Sequence, residues 1–342
     1  MTDAGVPPDP NPTAATTSTV VLAVDGVEII ADPNRMLLDV LRLNGFVSVK
    51  DGCSPQGQCG CCTVLVDGAP RVACVTPVRR MKGKTITTVD GLAPDRRNLW
   101  AEALTASGGS QCGFCTPGII CRLEGVAMKG ADLTDRDVVD KALLAHLCRC
   151  TGWQTIREAA TAVAIGARNP ERQPLDNEAA ARRAFIEGGA PQLVGPEVAL
   201  GRGGFAADTA PHDALVAVPD GDGWFVGADL DAARVGAGKV QGRRSTVRAE
   251  PPLSVPAGDW VHTLRTCWIE PAYLETDAVW CEPGGEPVGP LLNGGAFGAK
   301  SDDSLRDVAK RLACEHGRCV KVVYDREDVV ARGTATRRRW NR

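Results

Sequence analysis

A chain of 342 residues with 44% apolar side chains has room for about two to three domains with cores of their own. Its 39 basic and 42 acidic residues leave a net charge of −3, and aromatics reach only 4%, which argues against nucleic acid or an anionic membrane as the main partner. No run of about eighteen apolar residues could span a bilayer, and the first residues lack a secretory signal, so the fourteen cysteines are expected to be reduced or metal-bound in a cytoplasmic setting.

Residues 1–17, rich in Pro, Thr and Ala, read as a disordered tail. Alternating apolar residues then predict a hairpin over 20–24 and 27–30, turning at Asp25-Gly26. Asp32-Pro33 is expected to open a helix carrying Met36, Leu37, Val40 and Leu41, with Asn44-Gly45 closing it. After a loop dense in cysteine and glycine come a second hairpin turning at Asp67-Gly68 and a closing strand over 85–89. Hairpin, helix, hairpin and strand suit a small β-grasp domain over 18–95.

The loop places Cys53, Cys59, Cys62 and Cys74 at C-x5-C-x2-C-x11-C. Plant-type 2Fe-2S ferredoxins use C-x4-C-x2-C and a later cysteine, so this is that pattern with one residue added to the first gap. Gly52, Gly57 and Gly60 let backbone N–H groups turn toward anionic sulfur where a Cβ would block the approach. Cys61 stands beside Cys62 as a rival ligand or as a small packed thiol; the two-residue gap from Cys59 favours Cys62.

From about residue 98 to 167 the periodicity turns helical. Pro117 is a good first-turn residue for a helix bearing Ile119, Ile120, Leu123, Val126 and Ala127. Thr134 is the expected N-cap of the next, which carries Val138, Val139, Ala142, Leu143 and Leu147, and a last helix runs from Trp153 to about Gly166. The pattern predicts a four-helix domain over 96–167 in which Cys112, Cys115, Cys148 and Cys150 converge at helix ends. C-x2-C with C-x-C suits an iron–sulfur cluster or a structural zinc ion, and the ferredoxin-like loop nearby favours iron, because redox centres are useful in series. Cys121 and His146 read as packed helix residues.

Residues 168–200, with four prolines and an Ala-rich charged stretch, read as a linker with a short helix. In the remaining segment, 201–342, Leu291-Leu292-Asn293-Gly294-Gly295-Ala296-Phe297-Gly298-Ala299-Lys300 leads into a helix over 302–315, either a plain turn or an anion site at a helix N-terminus. A strand and then a helix follow over 320–329.

Gln111-Cys112-Gly113-Phe114-Cys115-Thr116-Pro117-Gly118 and Leu147-Cys148-Arg149-Cys150-Thr151-Gly152, downstream of the ferredoxin-like loop, resemble the motifs of the molybdenum hydroxylases of the xanthine and aldehyde oxidase type. That resemblance covers 18–166. It implies an electron-transfer subunit with two 2Fe-2S clusters, one held by Cys53, Cys59, Cys62 and Cys74 and the other by Cys112, Cys115, Cys148 and Cys150. In the family Gln111 and the second cluster face a molybdopterin on a catalytic subunit, and the first faces FAD on another, so a hetero-oligomer is implied.

The last segment is similar to the start of the family's α+β molybdopterin-binding domain, through Phe205-Ala206-Ala207-Asp208, the Glu270 to Thr276 stretch and the glycine loop. Gly294, Gly295, Phe297, Gly298 and Lys300 are the implied pterin contacts. Ile269 replaces a frequent Gln, the stretch from Glu275 to Gly294 is short, and the general-base glutamate lies in a part absent from this sequence. By itself the chain is therefore not expected to hydroxylate anything. A stand-alone two-cluster carrier and a zinc-bound structural protein are the alternatives.

Overall fold

The computed structural model describes residues 19–53, 56–167, 176–186, 193–239, 257–262, 274–289 and 304–332. Its first hairpin is made by local chemistry. In β1 (Val20–Val24) and β2 (Val27–Ala31), paired from Val20 with Ala31 to Val24 with Val27, Leu22 and Val24 point into the core while Val21 and Ile30 face outward. Asp25 (φ 49°) and Gly26 (φ 83°) both take the left-handed conformation of the tight two-residue turn.

The first helix, α1 (Leu37–Leu43), begins later than the Asp32-Pro33 signal suggests. Met36 is extended and bridges Pro77, so a tertiary strand contact overrides the helix-start signal. β3 (Thr63–Val66) and β4 (Ala69–Val72) form the second hairpin and β5 (Thr85–Thr87) closes the sheet in the order β2-β1-β5-β3-β4, with β1 and β5 parallel. β5 stops short of residue 89 because the Thr88 amide and hydroxyl bind the Asp25 carboxylate at 2.8 and 2.6 Å instead of a neighbouring strand.

Four helices follow. α2 (Pro94–Ser107) starts ahead of the expected residue 98, with proline in its first turn. Next come α3 (Thr116–Ala127), α4 (Arg136–Ala142) and α5 (Gln154–Ala164). Asp135, not Thr134, caps α4: its carboxylate accepts from the Asp137 amide at 2.8 Å, while the Thr134 hydroxyl donates to Asp132. The helix ends at Ala142, so Leu143, His146 and Leu147 lie beyond it.

The joint between sheet and helices is α3. A Cβ on Gly125 would come within 2.5 Å of Pro70 and 2.6 Å of Leu65, so glycine is what lets the helix lie this close to β3 and β4. Beside it Glu124 accepts two hydrogen bonds from Arg96 (2.9 and 2.7 Å) and one from the fully buried Trp100 (2.7 Å). A single apolar core runs from Leu22 and Leu37 through Trp100 and Ile119 as far as Leu200 and Phe205.

Beyond α6 (Asn177–Ile186), which buries none of its residues, come the short turns α7 (Pro196–Ala199) and α8 (Ala206–Thr209). A second sheet is built from β6 (Leu215–Asp220), β7 (Gly223–Gly227), β8 (Ala278–Cys281) and β9 (Val320–Val323), in the order β7-β6-β9-β8 with β6 and β9 parallel. α9 (Leu230–Gly236) and α10 (Ser304–His316) supply apolar residues to its two smaller cores, and α11 (Arg326–Arg332) follows β9. Among the described residues no helix is long and apolar enough to cross a membrane.

Charges fasten this part to the first sheet. Lys50, 0% exposed, donates to the Gly201 carbonyl at 2.7 Å, pairs with Asp208 and lies 5.3 Å from the Phe205 ring centre. Arg42 holds the other Asp208 oxygen at 2.8 Å. Arg234, also buried, bridges Asp51 at 3.0 Å and Asp325 at 2.7 Å. Removing one partner of such a buried pair leaves an uncompensated charge, a loss of about 3–5 kcal/mol.

Candidate metal centres

Glycine shapes the first cysteine loop where side chains would obstruct it. Gly57 (φ 70°) and Gly60 (φ 72°) take left-handed conformations, and a Cβ on Gly52 would sit 3.0 Å from the Cys59 sulfur. Cys53, Cys59, Cys62 and Cys74 are all buried. The Gln56 amide donates to the Cys53 sulfur at 3.1 Å and the Cys74 amide to the Cys62 sulfur at 3.4 Å. Hydrogen bonds from Cys59 and then Cys74 hold Cys53 well below the ordinary thiol range; the same contact to Cys53, then those to Cys61 and Cys62 respectively, push Cys59 and Cys74 up. Cys62 thus sits against Cys74. Cys61, 1% exposed, lies instead beside Cys59 and near the carbonyl of that residue at 3.8 Å.

The second group sits at helix ends. Cys112 and Cys115 lead into α3, and Cys148 and Cys150 lie in the turn before α5. Gly113 (φ 76°) allows the approach of α7, since a Cβ there would meet the Val198 carbonyl oxygen at 1.9 Å. The Thr116 hydroxyl donates to the Ala199 carbonyl at 2.6 Å. The Cys112 and Cys150 sulfurs are 3.5 Å apart, about what two ligands on one tetrahedral metal present. The Cys115 thiol, and after it Thr151, hold Cys148 down to about 6 against the opposing push of burial. Cys150 is likewise lowered by Cys112, while Cys112 and Cys115 are pushed up by those same contacts and by burial. In each pair one thiol is lowered and its partner raised.

Two pairs per group fit a cluster in which each of two irons takes two thiolates. Among the described residues no three or more His, Cys, Asp or Glu side chains close on one point as a single metal ion requires. The thirteen described cysteines are free of disulfides, and Cys121 is buried in α3, its thiol pushed up by that burial. Gln111 is exposed beside Cys112, and Cys148 and Cys150 are half-exposed. The glycine loop with Gly294, Gly295, Phe297, Gly298 and Lys300 lies outside the described residues, as does Ile269.

Backbone contacts interlock the two groups. The Leu147 amide donates to the Cys59 carbonyl at 2.9 Å, joining the residue before Cys148 to a cysteine of the first loop. A Cβ on Gly118 would lie 2.2 Å from the Gly60 carbonyl oxygen, and the Phe114 ring lies over Gly52, where a Cβ would meet it at 3.2 Å. His146 packs against Gly60 from a loop, with its Nε2 3.2 Å from the Thr63 hydroxyl, and burial lowers it to about 4 so that it is neutral. Arg326 donates to the Gly52 carbonyl at 2.7 Å from the far end of the chain. Cysteine spacing reveals none of these supports; Gly60, inside the first motif, and Gly118, at the end of the second, are the one sequence signal for the close approach.

Residues 22–79 match the family described as 2Fe-2S iron-sulfur cluster binding domain, and residues 88–161 the family described as 2Fe-2S binding domain. Over 133 residues the chain is 40% identical to the nicotinate dehydrogenase small FeS subunit of Eubacterium barkeri, covering 38% of this chain and 83% of that one. It is 39% identical over 159 residues to an aldehyde oxidoreductase of Megalodesulfovibrio gigas, covering 44% of this chain but only 17% of that protein. A solved aldehyde oxidoreductase from Desulfovibrio gigas shares the fold over 90% of this chain and 49% of its own, with a TM-score of 0.62 at 21% identity.

Proposed function

Because the chain belongs to the molybdenum hydroxylase family as one of its 2Fe-2S components, we propose that it carries single electrons for a multi-subunit hydroxylase. Cys53, Cys59, Cys62 and Cys74 would hold one 2Fe-2S cluster and Cys112, Cys115, Cys148 and Cys150 the other. When bound, each cluster supplies one-electron redox chemistry. The observation that carries the reading is the interlocking of two buried sets of paired thiols by the Leu147 to Cys59 hydrogen bond.

The protein's own residues give that chemistry its setting. Amides of Gln56 and Cys74 direct partial positive charge at sulfur, which favours the more negative reduced state. Burial of the first group, with the Arg326 side chain on the Gly52 carbonyl and Arg234 on Asp51, limits the access of water to Gly52 and Cys53. Gly118 and Gly60 bring the two backbones into contact, so an electron crosses little intervening matter between the groups.

The wider assembly follows from family membership. A catalytic partner would hold molybdopterin and turn R–H and water into R–OH, two electrons and two protons, which leave one electron at a time. Half-exposed Cys148 and Cys150, with exposed Gln111, would face that partner, and the first group would face FAD on another subunit of a cytoplasmic hetero-oligomer. The five-stranded mixed sheet supports reading 18–95 as a β-grasp domain, and α2 to α5 support the four-helix reading of 96–167. The second sheet supports reading 201–342 as an α+β segment; the glycine-loop motif supports reading it as the molybdopterin-binding type, with Gly294, Gly295, Phe297, Gly298 and Lys300 as the pterin contacts.

Purification of the native complex tests this reading. Molybdenum and flavin should co-elute with this chain on gel filtration; a chain that elutes alone with its iron would instead be a free carrier. Iron counts on Cys61→Ala and Cys62→Ala decide the ligand: the Cys62 variant should lose about two irons and the Cys61 variant none, and the reverse would reassign it.

A further inference from the structure

The stretch around Cys74 has a charge opposite to that of the chain. Residues 67–87 contain five basic residues, Arg71, Arg79, Arg80, Lys82 and Lys84, against one acid, Asp67, in a chain whose net charge is −3. All five are exposed. Asp67 is paired with Lys84 at 2.7 Å; the other four side chains have no ion-pair partner among the described residues. Like charges left unpaired side by side repel one another, a cost that a negatively charged partner removes.

One end of the stretch adjoins the first thiol group, while Lys84 sits with Asp67 at the far end of the β3–β4 hairpin. Cys74 is 3% exposed, yet Val75, the next residue, is 54% exposed. Val75 packs over the cysteine loop, where a Cβ on Gly57 would come within 3.0 Å of it. Arg71 is on β4, and Arg79 and Arg80 are on a 3-10 turn, Val78–Arg80. That turn is fixed, because the Val78 and Arg79 amides donate to the Arg35 and Pro33 carbonyls at 3.0 and 3.1 Å. Asp32, the neighbouring acid, already accepts from the Asn34 amide at 2.8 Å.

A small apolar centre rimmed by charge is the anatomy of a transient interface. Here the apolar centre is Val75, exposed beside the buried Cys74 and packed against Gly57 of the cysteine loop. We propose that this basic stretch docks the electron acceptor of the first site, and that the acceptor presents an acidic protein surface to it. The inference rests on the electron-transfer reading above and names the chemistry of the partner. Residues 67–87 contain no aromatic side chain on which a base could stack, so an acidic protein suits the stretch better than nucleic acid does.

The test uses the full chain with both sites loaded. Polyglutamate binding is titrated calorimetrically at low salt, and stopped-flow absorbance follows reoxidation of the dithionite-reduced protein, freed of reductant. The oxidants are ferricyanide, an anion that takes one electron to become ferrocyanide, or tris(phenanthroline)cobalt(III), a cation that takes one to become cobalt(II).

Polyglutamate should bind the native protein and slow ferricyanide. Arg79→Glu with Arg80→Glu should weaken that binding and the ferricyanide rate by about tenfold and speed the cobalt reaction, the size expected for electrostatic steering. Arg79→Gln with Arg80→Gln should fall between, and Arg182→Glu, on α6, should change nothing. Equal polyglutamate binding by native and charge-reversed proteins, or ferricyanide rates indifferent to both salt and substitution, would overturn the proposal. A protein that dithionite does not reduce would refute the electron-transfer reading, whereas the titration judges the surface independently.

Discussion

Cys53, Cys59, Cys62 and Cys74 sit in a loop whose shape depends on left-handed glycines and on charges arriving from far along the chain. Arg234 and Arg326 grip Asp51 and Gly52 from 183 and 274 residues away. Cys112, Cys115, Cys148 and Cys150 are instead placed by the ends of α3 and α5, and the second half of that set is left half-exposed. The same donor chemistry is thus obtained in two ways. A buried loop needs tertiary bonds to hold it, while helix ends hold a site by local structure and can leave one side open to a partner.

Four substitutions can break or sharpen this contrast. Cys115→Ala should have the largest effect: the second site loses its metal, iron falls by about half, and the visible spectrum of the first site remains. Iron and acid-labile sulfide analysis reads the outcome. Loss of both sites would show that the first depends on the second, the opposite of a separately built pair.

Asp208→Asn should come next. It leaves buried Lys50 without its hydrogen-bonded carboxylate, for a loss of about 3–5 kcal/mol in urea unfolding. The first site should bleach before the second on warming, because Lys50 leads directly into Asp51-Gly52-Cys53. A Lys50→Met, Asp208→Leu double variant should recover part of that stability, since apolar residues can replace a buried pair while Arg42 still loses its carboxylate.

Gly118→Ala inverts an ordinary expectation. Alanine inside a helix usually stabilises by about 0.5–1 kcal/mol over glycine. Here the added Cβ would meet the Gly60 carbonyl at 2.2 Å, and about 2 kcal/mol should be lost instead, the size of a modest overpacking defect. Both sites should be disturbed, because this contact is where they share backbone.

The smallest effect is pH-dependent and confined to the first region. Burial, and then Asp51, raise the Asp39 carboxyl to about 6. The native state therefore holds this proton more tightly than the unfolded chain does. Its favourable contribution is complete below about pH 4 and is lost as pH rises to about 6. Asp39→Asn should stabilise the protein by about 1–2 kcal/mol at pH 7, after allowance for partial exposure, and by nothing near pH 4. Chemical denaturation at the two pH values checks the sign.

Legibility in the sequence follows the same division. Both hairpins carry Asp-Gly turns, and the cysteine spacings and the apolar stripe of α3 are local signals that survive without any knowledge of the fold. The onset of α1 was not legible, because Met36 answers to Pro77, 41 positions away in the sequence but adjacent in space. Nor was the role of His146, which leaves its helix to pack on Gly60. The supports of the first loop were least visible of all. Lys50 and Asp208 are 158 residues apart, and such pairs leave no periodicity or spacing to read.

The central claim is that eight thiols hold two distinct 2Fe-2S clusters. Paramagnetic resonance of the dithionite-reduced chain, with iron counted on the same sample, tests it most directly. The account predicts two overlapping signals that integrate to about two spins and about four irons per chain, with one signal missing in Cys115→Ala. A reduced sample with no signal, or zinc in place of iron at either group, would contradict it.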